Sequence, residues 1–310
     1  MQKKPPVLSI QDRLHLPSPT SLPLKTNAQK NAKREVIVLR SQLLLPADEN
    51  IIHRSTDEFG ELIITNSPLF RTLYFGNEKK QSTMYVNHPD VLVLSYTQAM
   101  MSALIFNSSP ANALMIGLGG GSMVKFLLKH SPSTAIEVVE IRKHVIQLAH
   151  AYFSVPEQHQ RLQTHHTDAA QFVTGKLQTK SYTLISLDAF DGTGPASIMH
   201  SGLFLQQCKD LLSNNGILCI NLWNRRGDQF QKKLHRINKL FNGACLALET
   251  DKMEGNAIIF AFKNPEMILD VNTYQRSAAK LKNTTGIDFE SFLSLYYKQK
   301  NSFLYRWLKY

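Results

Sequence analysis

Cysteine and tryptophan are scarce in this 310-residue chain, with three and two copies. Cys208, Cys219 and Cys245 show no C-x-x-C pairing and no metal-ligand spacing. That excludes a disulfide framework and leaves no zinc motif. Cys219 lies in the apolar run Gly216-Ile-Leu-Cys-Ile-Asn221 and reads as a small core residue. Long apolar stretches are absent too: nothing approaches the roughly eighteen residues of a membrane-spanning helix. Pro5, Pro6, Pro17, Pro19 and Pro23 interrupt the N-terminus where a signal peptide would need an apolar core. The expectation is a cytoplasmic protein with no membrane contact. Eleven histidines include the pair His165-His166 just before Asp168. With no third ligand nearby the pair reads as structural, and no metal is expected.

Acidic residues are the minority charge, 24 against 35 Lys and Arg, for a net charge of +11. The excess sits at the two ends. Residues 1–34 carry +6 and residues 263–310 carry +4, which leaves +1 for everything between. An enzyme of nucleic acids spreads its basic residues along a groove. The ends therefore read as solvated tails, and no nucleic-acid partner is expected.

What the chain does have is the run Ala113-Leu-Met-Ile-Gly-Leu-Gly-Gly-Gly-Ser122, followed by Val138-Val-Glu-Ile141. This predicts a buried strand, a glycine turn, a helix and a second strand ending on a carboxylate. Gly117, Gly119, Gly120 and Gly121 let the backbone turn sharply and let a ligand lie against it. Glu140 stands where nucleoside-binding α/β folds place an acid for the two ribose hydroxyls. The pattern points to an adenosyl group. The dinucleotide fingerprint G-x-G-x-x-G fits less well, because its third glycine is replaced here by Ser122. A sulfonium nucleoside has no pyrophosphate and does not require that spacing.

Residues 1–34, rich in Pro, Lys, Ser and Asn, read as a disordered basic tail. Residues 35–90 read as a small antiparallel β domain, with short β runs at 36–39, 51–54, 60–65 and 69–75 divided by turn residues. Residues 91–263 alternate strands and helices after a first helix over 92–106, and read as a nucleoside-binding catalytic domain. Residues 264–310 read as a helical extension whose aromatic stripe (Phe292, Tyr296, Tyr297, Phe303, Trp307) packs on its own domain or on a partner. The predicted class is α/β: a Rossmann-like, adenosylmethionine-binding parallel sheet with a small N-terminal antiparallel β domain. Ligands of such sheets bind at the C-terminal strand ends, where Gly117, Glu140, Asp168 and Asp188 fall.

Over residues 36–263 the chain resembles the spermidine synthase-like polyamine aminopropyltransferases. The most specific likeness is Tyr182-Thr-Leu-Ile-Ser-Leu-Asp188-Ala-Phe-Asp191-Gly-Thr-Gly-Pro195, which is similar to the family's Tyr-Asp-x-Ile-x-x-Asp-x-x-Asp-x-x-Gly-Pro. Asp168-Ala169 matches an aspartate near the adenine, and Gln81 and Tyr96 match a glutamine and a tyrosine that line the site. The resemblance implies aminopropyl transfer from decarboxylated S-adenosylmethionine to a diamine such as putrescine, with methylthioadenosine released. It implies no tightly bound cofactor, a small amine as partner, and a homo-oligomer.

Such chemistry needs acids, because an amine of pKa near 10 must shed a proton to become a nucleophile. Asp188 is the candidate proton acceptor, Asp191 the group that grips the amine, and Tyr96 the group that aligns it. Three positions depart from the family. Ser122 stands where the loop carries an aspartate for the donor's ammonium, Thr97 where a Gln or His follows the tyrosine, and Arg142 where an Asp often stands. These departures leave two alternatives open: a small-molecule methyltransferase using unmodified S-adenosylmethionine, and an inactive nucleoside-binding homologue.

Overall fold

Four consecutive buried apolar residues, Ala113 to Ile116, can bury both faces of a strand only in a sheet covered on both sides. They form β5 (Asn112–Ile116) at the centre of such a sheet. Ala113 and Met115 face one hydrophobic core, and Leu114 and Ile116 face the other. The computed structural model describes residues 49–76, 79–177, 181–190, 196, 198, 201–223, 228–249, 255–268 and 271–300. The β run at 36–39, Asp191, Phe303, Trp307 and the basic N-terminal tail lie outside these residues.

The remaining strands of the large sheet are β6 (Ala135–Glu140), β7 (Leu162–His166), β8 (Tyr182–Leu187), β9 (Leu212–Trp223), β10 (Cys245–Glu249) and β11 (Asn256–Phe262). The order is β10-β11-β9-β8-β5-β6-β7. Strands β5 to β9 run parallel, while β11 is antiparallel to β9 and β10 antiparallel to β11. The chain steps outward from β5 to β6 and β7, then returns to β8 on the other side of β5. A topological switch point therefore lies between β5 and β8, where sheets of this kind open a crevice.

Helix α1 (Ser95–Met101) precedes β5, and α2 (Ser122–His130), α3 (Lys143–Tyr152), α4 (Ala169–Lys176), α5 (Gly202–Leu211) and α6 (Asp228–Leu240) follow successive strands. The C-terminal helices α7 (Gln275–Thr285) and α8 (Phe289–Lys300) cover the face that holds Ala113 and Met115. Tyr296 of the aromatic stripe is fully buried there, whereas Tyr297 is exposed. The helix expected over 92–106 divides in two: α1 ends at Met101 and a 3-10 turn, Ser102–Ile105, continues it. The Ser102 hydroxyl donates to the Ala99 carbonyl three residues back, a contact that tightens the turn. Among the described residues no helix is long and apolar enough to cross a membrane.

A separate four-stranded antiparallel sheet runs in the order β1 (Asn50–Asp57), β2 (Gly60–Asn66), β3 (Phe70–Phe75), β4 (Lys79–Tyr85). Leu62, Ile64, Leu73 and Met84 join it to the core beneath α1 and α2. The expected β runs at 51–54, 60–65 and 69–75 fall in β1 to β3. Strand β4, Lys-Lys-Gln-Ser-Thr-Met-Tyr, shows no apolar alternation and forms by pairing with β3. Its buried Ser82 abuts the glycine turn after β5, and its buried Thr83 meets the Thr72 hydroxyl of β3 at 3.4 Å.

A buried ion pair ties the two sheets together. The Arg142 Nε and Nη2 atoms donate to Asp57 at 3.0 and 2.7 Å, and Nη2 also reaches the Gly60 carbonyl at 2.9 Å. The side chains are 4% and 1% exposed, and the guanidinium lies 4.4 Å from the Phe75 ring centre. Burial pushes the Asp57 carboxyl up, but the Arg142 and Phe59 hydrogen bonds outweigh it and hold it below the usual carboxylate range. A lowered native pKa stabilises above the unfolded value, so this contribution is complete above about pH 4 and fades as acid titrates the pair. Removing one partner strands a buried charge. Arg142→Leu is expected to cost about 3 kcal/mol in urea unfolding, and the Asp57→Leu/Arg142→Leu pair less than the two single losses together. Strictly additive losses would contradict the pairing.

Candidate active site

The floor of the crevice is the turn after β5. Gly117 has φ +96°, and its N–H donates to the Val139 carbonyl at 2.9 Å. A Cβ placed there would stand 2.2 Å from the Asp188 carbonyl oxygen. Only glycine lets the ends of β5 and β8 approach so closely. At Gly120 a Cβ would meet Ser82 Oγ at 2.6 Å and the Phe153 ring at 2.9 Å, so β4 presses directly on the loop. The Lys125 ammonium, 6% exposed, pins this loop by donating to the Gly120 carbonyl at 2.7 Å and the Phe153 carbonyl at 2.6 Å. Burial pushes Lys125 down to about 7, against the pull of the Asp90 charge.

Glu140 ends β6 beside this loop and is 8% exposed. One carboxylate oxygen accepts the Leu118 N–H at 2.9 Å and the other the Arg142 N–H at 2.9 Å. Burial raises its pKa; these N–H groups and the Arg142 charge oppose the rise. Each oxygen keeps a further lone pair, so the acid can still receive ribose hydroxyls. The buried Arg142–Asp57 pair thus braces the residue whose N–H holds the Glu140 carboxylate.

Asp188 follows β8 on the far side of Gly117. Its Oδ1 accepts from Asn221 Nδ2 at 2.8 Å, and Asn221 Oδ1 accepts from Asn256 Nδ2 at 2.8 Å. The Tyr96 hydroxyl stands between two acceptors, the Asp188 carboxylate and the Gln81 carbonyl at 3.3 Å. Burial pushes the Asp188 carboxyl up to about 6, with the Asn221 and Tyr96 hydrogen bonds resisting. The result is a carboxylate that is ionised at neutral pH yet basic enough to take a proton.

The structure therefore brings Gly117, Gly119, Gly120, Glu140, Asp188, Tyr96 and Gln81 to one crevice, with Gly121 capping α2 at its edge. Asp168 stands next to Thr167, whose N–H donates to the Glu140 carbonyl at 3.2 Å. One Asp168 oxygen caps α4, accepting from Ala170 and Gln171 N–H at 2.9 and 3.1 Å, with Ala169 opening the helix. Ser122, which stands where the family carries an aspartate for the donor's ammonium, engages Ser82 Oγ at 3.2 Å and is 9% exposed. His165 lies 3.1 Å from buried Glu137, which also accepts from Tyr182 at 3.1 Å and faces Lys176 at 3.3 Å. Among the described residues no three His, Cys, Asp or Glu side chains are grouped to hold a metal ion.

Asn221 and Asn256 escape a reading of the sequence. The only signal for Asn221 is a polar residue closing an apolar strand, and Asn256 is fully legible only through its partner.

The Glu140 geometry carries a prediction. Glutamine offers one oxygen, so Glu140→Gln turns an NH2 group toward one of the two backbone N–H donors. Calorimetry is expected to show methylthioadenosine binding on the order of tenfold to a hundredfold more weakly. Unchanged affinity would remove Glu140 from the nucleoside site.

Residues 94–261 match the family model described as spermine/spermidine synthase domain. The polyamine aminopropyltransferase of Neisseria meningitidis serogroup A is 31% identical over 238 residues, covering 76% of this chain and 89% of that protein. The polyamine aminopropyltransferase of Chromobacterium violaceum is 30% identical over 244 residues, covering 78% and 92%. A crystal structure of spermidine synthase in complex with the transition-state analogue AdoDATO superposes with a TM-score of 0.57 at 22% identity, covering 70% of this chain and 75% of that one. That last likeness concerns the fold; the family match and the two sequence relatives reach further. On these grounds the chain belongs to the spermine/spermidine synthase family.

Proposed function

We propose that this protein is a polyamine aminopropyltransferase: it moves the aminopropyl group of decarboxylated S-adenosylmethionine onto a small primary amine such as putrescine and releases methylthioadenosine. The observation that carries the reading is Asp188. This carboxylate is partly buried, its pKa is raised, and it is held by Tyr96 and Asn221 directly across from the glycine turn.

Glu140 receives the ribose, the turn at Gly117 to Gly121 lies along the nucleoside, and Asp168 with Ala169 stands at the adenine end. The donor's sulfonium then faces Asp188. The amine arrives as an ammonium, and the adjacent sulfonium charge lowers its pKa toward that of Asp188. Asp188 takes one proton. The freed nitrogen lone pair attacks the methylene, the C–S bond breaks, and its electron pair stays on sulfur as a neutral thioether. The new nitrogen leaves as a secondary ammonium. Gln81 and Tyr96 line the amine's path, and Asp191 grips its distal end. The three thiols are free and buried, which suits a reducing, cytoplasmic setting.

Mass spectrometry of reactions with putrescine, cadaverine or spermidine tests the reading. Methylthioadenosine is expected from at least one amine, and Asp188→Asn is expected to lower kcat/KM by about 10² to 10⁴. Because Asp188 must be ionised to accept the proton, activity rises with pH through about 6 and then levels. Methylthioadenosine from no amine, or a methylated product from the unmodified donor, would overturn it.

A further inference from the structure

An ionised carboxylate only accepts hydrogen bonds, so the Asn221 amide beside Asp188 must present its NH2 end. Its oxygen then points away and needs a donor of its own. Asn256 supplies that donor from the neighbouring strand. Residue 221 of β9 pairs with Ile258 of β11, which places Asn256 two residues along on the same face. The two amides, 1% and 9% exposed, form one directed chain: Asn256 Nδ2 to Asn221 Oδ1 at 2.8 Å, then Asn221 Nδ2 to Asp188 Oδ1 at 2.8 Å.

We propose that Asn256 is a positioning residue for the transfer reaction. It locks the Asn221 amide in the orientation that gives Asp188 a donor on one oxygen and leaves the other free for the proton of the amine. The inference rests on the reading of Asp188 as proton acceptor. It acts at one remove: Asn256 touches neither Asp188 nor a substrate, and its influence passes through a single amide rotation. Among the described residues, the other groups facing Asp188 are the Tyr96 hydroxyl from α1, the Cys219 thiol from β9 and the backbone at Gly117. Burial keeps Cys219 protonated, and the nearby Asp188 charge adds to that. The amide chain and Tyr96 are therefore what hold the Asp188 carboxyl down against burial.

The test is the acid limb of the kcat/KM profile of the full chain. In Asn256→Asp, the new carboxylate attracts the Asn221 NH2 group, the amide turns, and a lone pair faces Asp188. The limb is expected to move up by about one pH unit, with activity at pH 6 reduced several-fold. In Asn256→Leu, which carries no charge and keeps the same branched outline, the amide is unlocked and the limb moves in the same direction by less. On an Asn221→Ala background, the uncharged Asn256→Leu is expected to leave the limb where Asn221→Ala alone sets it. A residue that only supports packing would lower the unfolding temperature without moving the limb. An unmoved limb in both Asn256 variants, with Asp188→Asn inactive, overturns the positioning role and leaves the proton-acceptor reading intact. Full activity in Asp188→Asn would overturn both.

Discussion

The structure depends on the close approach of two strand ends at the switch point of the large sheet. A single methyl group at position 117 would collide with the backbone of Asp188, so the glycine turn after β5 and the Asp188 carboxylate after β8 are neighbours only because residue 117 has no side chain. Parallel strands that leave a crevice between divergent crossovers supply the site, and glycine supplies the clearance.

The second constraint is the fit of the small sheet. Strand β4 lies on the glycine loop at Gly120, and Tyr96 reaches across to the Gln81 carbonyl. At the other end of the small sheet the tip of the β1–β2 hairpin delivers Asp57 to Arg142, whose own N–H holds Glu140. The small sheet is thus fastened to the crevice by a desolvated ion pair between residues 85 positions apart in sequence. Lysine plays a related part at Lys125, where an ammonium fills the place of a packing residue and ties two carbonyls that face inward.

Much of this was legible beforehand because it follows from periodicity and chemistry along the chain. The apolar run of β5, the glycine turn, the helix spacing and the terminal Glu140 are local signals, and they predict their own surroundings. Asp188 and Tyr96 were reached through the family resemblance, and the structure brings them together. What was not legible is non-local. Strand β4 carries no alternation, since its Ser82 packs against the glycine loop while Lys80 stays in solvent. Arg142 looked like an anomaly until Asp57, 85 positions away, supplied its counter-charge. The Ser122 hydroxyl meets Ser82, forty residues away, another contact that the chain does not announce. The two asparagines matter only as a pair, and nothing along the chain announces a pair that forms across two strands.

The account turns on the ionisation of one side chain, and that can be observed without any turnover. Carboxyl carbon-13 titration of the unliganded protein, with the Asp188 resonance assigned by its loss in Asp188→Asn, reads the group directly. A midpoint at about 6 is what burial opposed by two hydrogen bonds produces. A midpoint at or below about 4, the range of a solvated aspartate, would mean that the carboxylate is not poised to receive a proton, and the proposed mechanism would fail.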